Sequence, residues 1–177
     1  MNFKKMALAS VMGLVLAAGA ANAADQGHGK VTFTGSIIDA PCSINPDSID
    51  QTVNLGQVSN VALKANGNTG TSVPRNFDIK LENCDTSTLK SVKTTFTGAE
   101  GATAGSLGIT GTAKGASIIL TNGDGAQIKL GEASAAHMLQ NGNNTLLFSA
   151  YLKGDGASAT ITPGDFTAVA DFTLAYQ

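Results

Sequence analysis

The chain has 177 residues, of which 42% are hydrophobic, 14% charged and 5% aromatic, with 21 glycines and no tryptophan. This composition is too apolar for a disordered protein and too rich in glycine for a helical bundle, and it favours short strands joined by turns. The formal net charge is −2, and removal of a leader containing Lys4 and Lys5 changes it to 9 − 13 = −4, which disfavours a nucleic-acid-binding protein because such a protein needs a basic face.

The first 23 residues have the order of a bacterial secretory signal. Two lysines lie within Met1–Lys5, an apolar run extends from Met6 to Ala21, and Ala21-Asn22-Ala23 is a small-x-small cleavage site. We therefore predict cleavage after Ala23 and export of the mature chain. The remaining 177 − 23 = 154 residues correspond to a single domain.

Export gives the two cysteines a structural role. In an oxidising compartment, Cys42 and Cys84 are expected to form a disulfide. A catalytic thiol would need a nearby histidine, and the sequence places neither His28 nor His137 beside a cysteine. So few cysteines and histidines leave little material for a metal site, and no catalytic residue, metal or cofactor is predicted.

Short apolar runs between turn clusters predict an all-β chain. The turns include Asn122-Gly123-Asp124-Gly125 and Gly154-Asp155-Gly156, and a helical turn is expected at Glu132–Leu139. Many strands with one disulfide indicate a β-sandwich. The predicted strands are Lys30–Ile38, Pro41–Ile44, Thr52–Leu55, Asn76–Glu82, Ser91–Thr97, Ala116–Leu120, Gln127–Leu130, Thr145–Lys153 and Asp165–Tyr176.

Two predicted strands at opposite ends of the chain alternate most cleanly between apolar and polar residues. The first strand follows a polar leader, and it either pairs within its own sandwich or adds to the sheet edge of another molecule. The residues alone leave both possibilities open. One face of the first strand carries Val31, Phe33, Gly35 and Ile37, and one face of the last carries Phe166, Ala168, Ala170, Phe172, Leu174 and Tyr176.

With these features, the whole chain resembles the subunits of chaperone–usher fimbriae, most closely the major rod pilins of P-type and mannose-resistant fimbriae. The residues that carry the resemblance are the cleaved signal, the run Gly29-Lys30-Val31-Thr32-Phe33-Thr34-Gly35-Ser36-Ile37-Ile38-Asp39-Ala40-Pro41-Cys42-Ser43-Ile44, the group Leu81-Glu82-Asn83-Cys84, Gly164 at the fourteenth position from the end, and the penultimate Tyr176.

The resemblance implies an immunoglobulin-like β-sandwich that lacks its last strand and is completed by donor-strand exchange. Residues 1–23 would be the signal peptide, 24–39 the N-terminal extension that acts as donor strand, and 40–177 the incomplete domain. The implied partners are further copies of the chain, a periplasmic chaperone, an outer-membrane usher, other fimbrial subunits and a tip adhesin. The implied location is a fimbria on the cell surface, where the chain would support cell adhesion.

The same resemblance assigns roles to the two alternating faces. Val31, Phe33, Gly35 and Ile37 would be the donated face, with Gly35 where the groove is shallow. Gly164 and the alternating face of the last strand would form the acceptor groove and the surface that the chaperone recognises. The function implied is that of a major structural subunit and not of an enzyme. The alternatives are a minor or adaptor subunit of a fimbria and a secreted β-sandwich that binds glycans.

Overall fold

The computed structural model of the chain describes residues 28–177, so the predicted secretory signal lies outside the described residues. The chain divides into two units, Met1–Ile37 and Ile38–Gln177. In the first unit, residues 28–37 carry no helix or strand and are exposed. Residues 28–177 contain no helix with the length and hydropathy of a membrane-spanning segment.

The second unit is built mainly from β-strands. It contains one short helix, α1 (Asn60–Asn68), and a 3-10 turn at Pro46–Ser48. The strands are β1 (Ser43–Ile44), β2 (Arg75–Cys84), β3 (Ser91–Gly98), β4 (Leu107–Gly108), β5 (Thr110–Gly111), β6 (Ala116–Asn122), β7 (Gln127–Ile128), β8 (His137–Met138), β9 (Gly142–Gly154), β10 (Phe166–Thr167) and β11 (Ala170–Tyr176).

These strands form two main sheets that share one core. The larger has the order β1-β2-β9-β6-β4, with β7 also paired to β6, and the smaller has the order β11-β3-β8. A separate two-stranded sheet joins β10 to β5, and every strand pair in the described chain is antiparallel. Phe96 of the smaller sheet contacts Phe148 and Phe77 of the larger one, with ring centroids 5.1 and 6.1 Å apart. The all-β sandwich is therefore confirmed.

Where a strand has a partner along its whole length, the alternating pattern predicted it well. The strands expected at Asn76–Glu82, Ser91–Thr97, Ala116–Leu120 and Thr145–Lys153 are confirmed with longer bounds as β2, β3, β6 and β9. In β9, every second residue from Asn144 to Gly154 is buried, which is the expected pattern of a strand with one face on the core.

Other predictions were wrong. Lys30–Ile38 and Thr52–Leu55 form no strand, because neither segment has a ladder partner within the described residues. Pro41–Ile44 and Gln127–Leu130 are each reduced to a two-residue strand, β1 and β7. The helical turn expected at Glu132–Leu139 is absent, and the segment contains β8 instead.

The helix α1 lies in a segment for which no helix or strand was predicted. Ser59 caps α1 by accepting a hydrogen bond from the N–H of Val61 at 3.3 Å. Asn66 and Gly67 then adopt positive φ angles of 52° and 69°, so regular helix ends after one turn and a half. The signal in the sequence was therefore a serine cap followed by an Asn-Gly stop.

The last predicted strand, Asp165–Tyr176, is divided in two. Phe166 and Thr167 pair with β5, whereas β11 pairs with β3, and Ala168 and Val169 join the two pieces. The alternation of exposed and half-buried residues continues across this break. A single apolar face therefore extends over two ladders.

The predicted disulfide is confirmed. Cys42 and Cys84 are bonded, with their Cα atoms 4.1 Å apart, and both are buried in the core. The bond ties the residue before β1 to the last residue of β2, so it closes a loop with a sequence separation of 42 residues.

Candidate functional site

A long groove of about 1230 Å³ runs along the second unit. One wall is the segment 48–58, and the other is the segment 161–172, which includes β10 and the start of β11. The floor is apolar and consists of core side chains from both sheets, among them Phe77, Ile79, Phe96, Leu107, Ile118, Leu120 and Leu152.

The wall formed by β11 has an open edge. Within the described residues β11 pairs with β3 alone, from Ala170 opposite Gly98 to Tyr176 opposite Val92. Its second edge therefore presents main-chain N–H and C=O groups that no strand of this unit pairs. The side chains that face the core from this wall are half-buried, unlike the fully buried ones of β3.

The opposite wall also has unpaired main chain. No residue from 52 to 58 takes part in a backbone–backbone hydrogen bond in the described chain, although Leu55 and Val58 pack against the core. The segment is anchored at one end by side chains: the Ser48 hydroxyl accepts from the N–H of Lys80 at 3.0 Å, and the Gln51 amide donates to the carbonyl of Asp78 at 2.7 Å. The groove thus lies between two open edges.

Tight loop packing closes one end of the groove. Lys114 forms a bridge with Thr162, and the N–H groups of Thr112 and Ala113 donate to the carbonyl of Asp165. Gly164 fits there because it has no side chain: a Cβ on this residue would be 2.6 Å from the main-chain nitrogen of Ala113. Gly164 therefore sets the shape of this end of the groove.

Tyr176 lies at the other end of β11 and carries an unusual polar group. Its hydroxyl is buried and has no hydrogen-bond partner in the described chain. Burial raises the pKa of the Tyr176 hydroxyl above its usual value, because the charged phenolate is poorly solvated there. The neighbouring Gln177 is held by its main-chain oxygen, which accepts from the N–H groups of Lys90 and Ser91 at 2.7 and 2.9 Å.

The structure brings most of the predicted acceptor residues together. Gly164, Phe166, Ala168, Ala170 and Phe172 line the groove. Leu174 and Tyr176 continue the same half-buried face beyond it. Sequence analysis missed the floor residues and the role of residues 48–58 as a wall. Only the apolar character of Val53, Leu55 and Val58 pointed to that segment.

The predicted donor residues lie in the exposed N-terminal unit. Val31, Phe33 and Ile37 are 75%, 90% and 105% exposed. A Cβ placed on Gly35 would meet no atom within 4 Å in the described chain. Three large apolar side chains that alternate along an exposed, unpaired segment are typical of a strand that pairs with another molecule.

The chemistry available at the groove is the binding of an extended peptide. An apolar floor between the open edge of β11 and the unpaired main chain of residues 52–58 can bury alternate side chains and satisfy the main chain of an added strand. Residues 28–177 contain no group of three or more His, Cys, Asp or Glu that could hold a metal ion.

Comparisons with known proteins point in the same direction. The family model described as "Fimbrial protein" matches residues 31–177. The chain is 65% identical to the Fimbria A protein of Serratia marcescens and 55% identical to the Major MR/P fimbria protein of Proteus mirabilis (strain HI4320), and each alignment covers 100% of both chains.

Solved structures of similar chains have the same fold. The P pilus rod subunit PapA is 33% identical with a TM-score of 0.68, over 78% of this chain and 100% of that one. A chain from a chaperone–usher pilus, whose structure addresses rod uncoiling, is 37% identical with a TM-score of 0.75, over 86% of this chain and 97% of that one.

Proposed function

The chain belongs to the fimbrial protein family, and on this premise we propose that it polymerises by inserting its N-terminal segment into the groove of the next copy. It is a major structural subunit of a surface fimbria, as its close relatives are. The observation that carries the proposed mechanism is the open edge of β11 beside a half-buried apolar face. A sheet edge of this kind accepts an added strand.

The donor strand has the right length for the groove. Lys30 to Asp39 is 39 − 30 = 9 steps, or about 30 Å, and Phe166 to Tyr176 is 10 steps, or about 33 Å, at ~3.3 Å per residue. Burying Val31, Phe33 and Ile37 would contribute ~1.5–3 kcal/mol each, before the cost of ordering the segment.

The position of Gly35 indicates the register of the inserted strand. Ala170 of β11 is paired with Gly98 of β3, and a Cβ on Gly98 would be 2.6 Å from Leu107 Cδ1. The Leu107 side chain therefore lies against Gly98, the residue opposite Ala170, and we infer that the groove is shallow at this level. A donor residue without a side chain would fit this level, and we therefore propose that Gly35 inserts beside Ala170.

The remaining partners follow from the same groove. Before polymerisation its apolar floor would be open to water, and exposed apolar surface with free strand edges leads to aggregation. We therefore propose that a periplasmic chaperone covers the groove until an outer-membrane usher presents the next copy. Other fimbrial subunits and a tip adhesin would join by the same exchange, and the groove binds a strand without catalysing a reaction.

The test is thermal unfolding of a mature chain that lacks residues 24–39, with and without a synthetic peptide of residues 26–39. We expect a weakly stable domain whose midpoint rises by tens of degrees with the peptide. The matched control is the same peptide with Phe33→Ala, which should give a much smaller rise. A domain that is already stable and indifferent to both peptides would contradict the proposal.

A further inference from the structure

The hydroxyl of Tyr176 is the one buried side-chain polar atom without a hydrogen-bond partner among the described residues. A buried hydroxyl that makes no hydrogen bond has lost its hydration without gaining a partner, so proteins seldom leave one in this state. The only other tyrosine, Tyr151, is half-buried on β9, and its hydroxyl is not a buried atom that lacks a hydrogen-bond partner. Tyr176 therefore needs an explanation of its own.

A hydrogen-bond acceptor for the Tyr176 hydroxyl can come from a strand added beside β11. Tyr176 is the last residue of β11, and its side chain belongs to the same half-buried face as Phe172 and Leu174. The second edge of β11 is open. An inserted strand is thus the one element that would bring new main-chain acceptors to this part of the molecule.

The direction and register of that strand identify the acceptor. Since every strand pair in the described chain is antiparallel, we take the inserted strand to run antiparallel to β11. With Gly35 beside Ala170, Val31 lies beside Leu174 and Gly29 beside Tyr176. Gly29 has no Cβ, so the phenol ring can approach the main chain of the donor at this level.

We propose that the Tyr176 hydroxyl donates a hydrogen bond to a main-chain carbonyl of the incoming strand at Gly29 of a second copy. This inference rests on the proposed function. The hydroxyl then favours the correctly registered joint, because its penalty is relieved only when the glycine end of the donor reaches the end of β11. Tyr176 and Gly29 would together set the register of the inserted strand at the end of β11. Gly35 would set it at the level of Ala170.

The test uses the full mature chain, comparing the dissociation rate of its SDS-resistant multimers in denaturant with the unfolding of the unjoined chain. Tyr176→Phe removes the hydroxyl and keeps the ring, and it should speed multimer dissociation by about 2- to 10-fold, the range of one net hydrogen bond. Tyr151→Phe is the matched control and should change neither quantity. The unjoined Tyr176→Phe chain should be as stable as the wild type or more stable, since it loses an unsatisfied group.

Gly29→Ala tests the other side of the contact. A Cβ on Gly29 meets nothing within 4 Å in the described chain, so this change should act only in the multimer. If the two residues touch, the double variant Gly29→Ala with Tyr176→Phe should dissociate no faster than the worse single variant. Fully multiplicative effects would overturn the proposed contact.

A spectroscopic measurement separates hydrogen bonding from packing. The chain has no tryptophan and two tyrosines, so a Tyr151→Phe chain reports Tyr176 alone. On polymerisation its near-ultraviolet absorption should move to longer wavelength, and its Raman Fermi doublet should change to that of a phenol donor. An unchanged spectrum, or an equal loss of stability in unjoined chain and multimer, would identify a buried water or no partner and overturn the inference.

Failure of the proposed function and failure of the Tyr176 hydrogen bond give different results. If the wild-type chain forms no SDS-resistant multimers, or if Phe33→Ala leaves their stability unchanged, donor-strand insertion itself is wrong. If multimers form and depend on Phe33 but Tyr176→Phe behaves as Tyr151→Phe does, only the role of the Tyr176 hydroxyl is wrong.

Discussion

Phe172 lies directly opposite Phe96 across the ladder between β11 and β3, yet Phe96 is 3% exposed whereas Phe172 is only half-buried. Two aromatic residues at one level of one sheet usually have similar burial when a strand flanks each side. The other edge of β3 is covered, by β8 at Ser91 and Val92 and by the Gly131 N–H that donates to the Phe96 carbonyl, whereas the other edge of β11 has no strand partner within the described residues. The difference in burial between the two rings therefore marks the place of the missing strand.

A large side chain at position 35 should block polymerisation without unfolding the subunit. In the proposed register, Gly35→Leu places a side chain beside Ala170, opposite Gly98 and Leu107, so the donor strand should not enter the groove. In the unjoined chain a Cβ at position 35 touches nothing within 4 Å, so the domain should unfold as the wild type does. The measurement is the ladder of SDS-resistant multimers after incubation of the purified chain.

Ser36→Leu provides the matched control for this change. It adds the same side chain one residue later, on the face of the donor strand that points away from the groove. We expect this variant to form multimers at nearly the wild-type rate. Equal multimer yields from Gly35→Leu and the wild type would contradict the assigned role of Gly35.

Sequence patterns predicted those parts of the structure that depend on the chain alone. Phe166, Phe172 and Leu174 were placed on one face because a strand keeps its period of two even where the ladder changes from β5 to β3. Lys30–Ile38 and Thr52–Leu55 have comparable alternation, but a strand also requires a partner, and none is available to them within the described residues. Both incorrect strand predictions therefore concern segments that have a role in the proposed exchange, one as the donor and the other as a wall of the groove.

The groove floor and the loop at Gly164 were beyond sequence analysis for a different reason. Leu107 and Ile118 become neighbours only when β4 pairs with β6, and apolar composition does not specify such pairings. Likewise, Gly164 could be identified as a motif residue, but its contact with Ala113 arises from two loops that are 51 positions apart, since 164 − 113 = 51.

The close packing at the end of the groove should make Gly164 intolerant of a methyl group. A Cβ at this position would be 2.6 Å from the main-chain nitrogen of Ala113, so the loop must move. We expect Gly164→Ala to lower the free energy of unfolding of the unjoined chain by ~1–3 kcal/mol, which urea titration measures. Gly35→Ala is the control, because the same methyl group has no contact there. Equal stabilities for the two variants would contradict the packing argument.

The disulfide should stabilise the subunit while its groove is open. Closing a loop with a sequence separation of 42 residues contributes about 4 kcal/mol by restricting the unfolded chain. The double variant Cys42→Ser with Cys84→Ser should lose most of this free energy of unfolding, and reduction of the wild-type chain should give the same result. Neither cysteine lines the groove. Any folded fraction of the double variant should therefore still bind the donor peptide. Wild-type stability after reduction would show that the bond has no such role.

The buried hydroxyl of Tyr176 should make the unjoined subunit sensitive to alkali. Burial raises the pKa of this hydroxyl in the folded chain above the value of about 10 that a tyrosine has in the unfolded chain. Above about pH 10 the unfolded chain therefore releases its proton first, and the free energy of unfolding falls as the pH rises towards the folded pKa. Below pH 10 both states are protonated, and this contribution to stability is fully present. Tyr176→Phe should therefore unfold with a weaker pH dependence than the wild type between about pH 9 and 11, which urea titrations across that range measure. Equal slopes for Tyr176→Phe and the wild type would mean that the Tyr176 phenolate is as well solvated in the folded chain as in the unfolded one, and the buried environment deduced for its hydroxyl would be wrong.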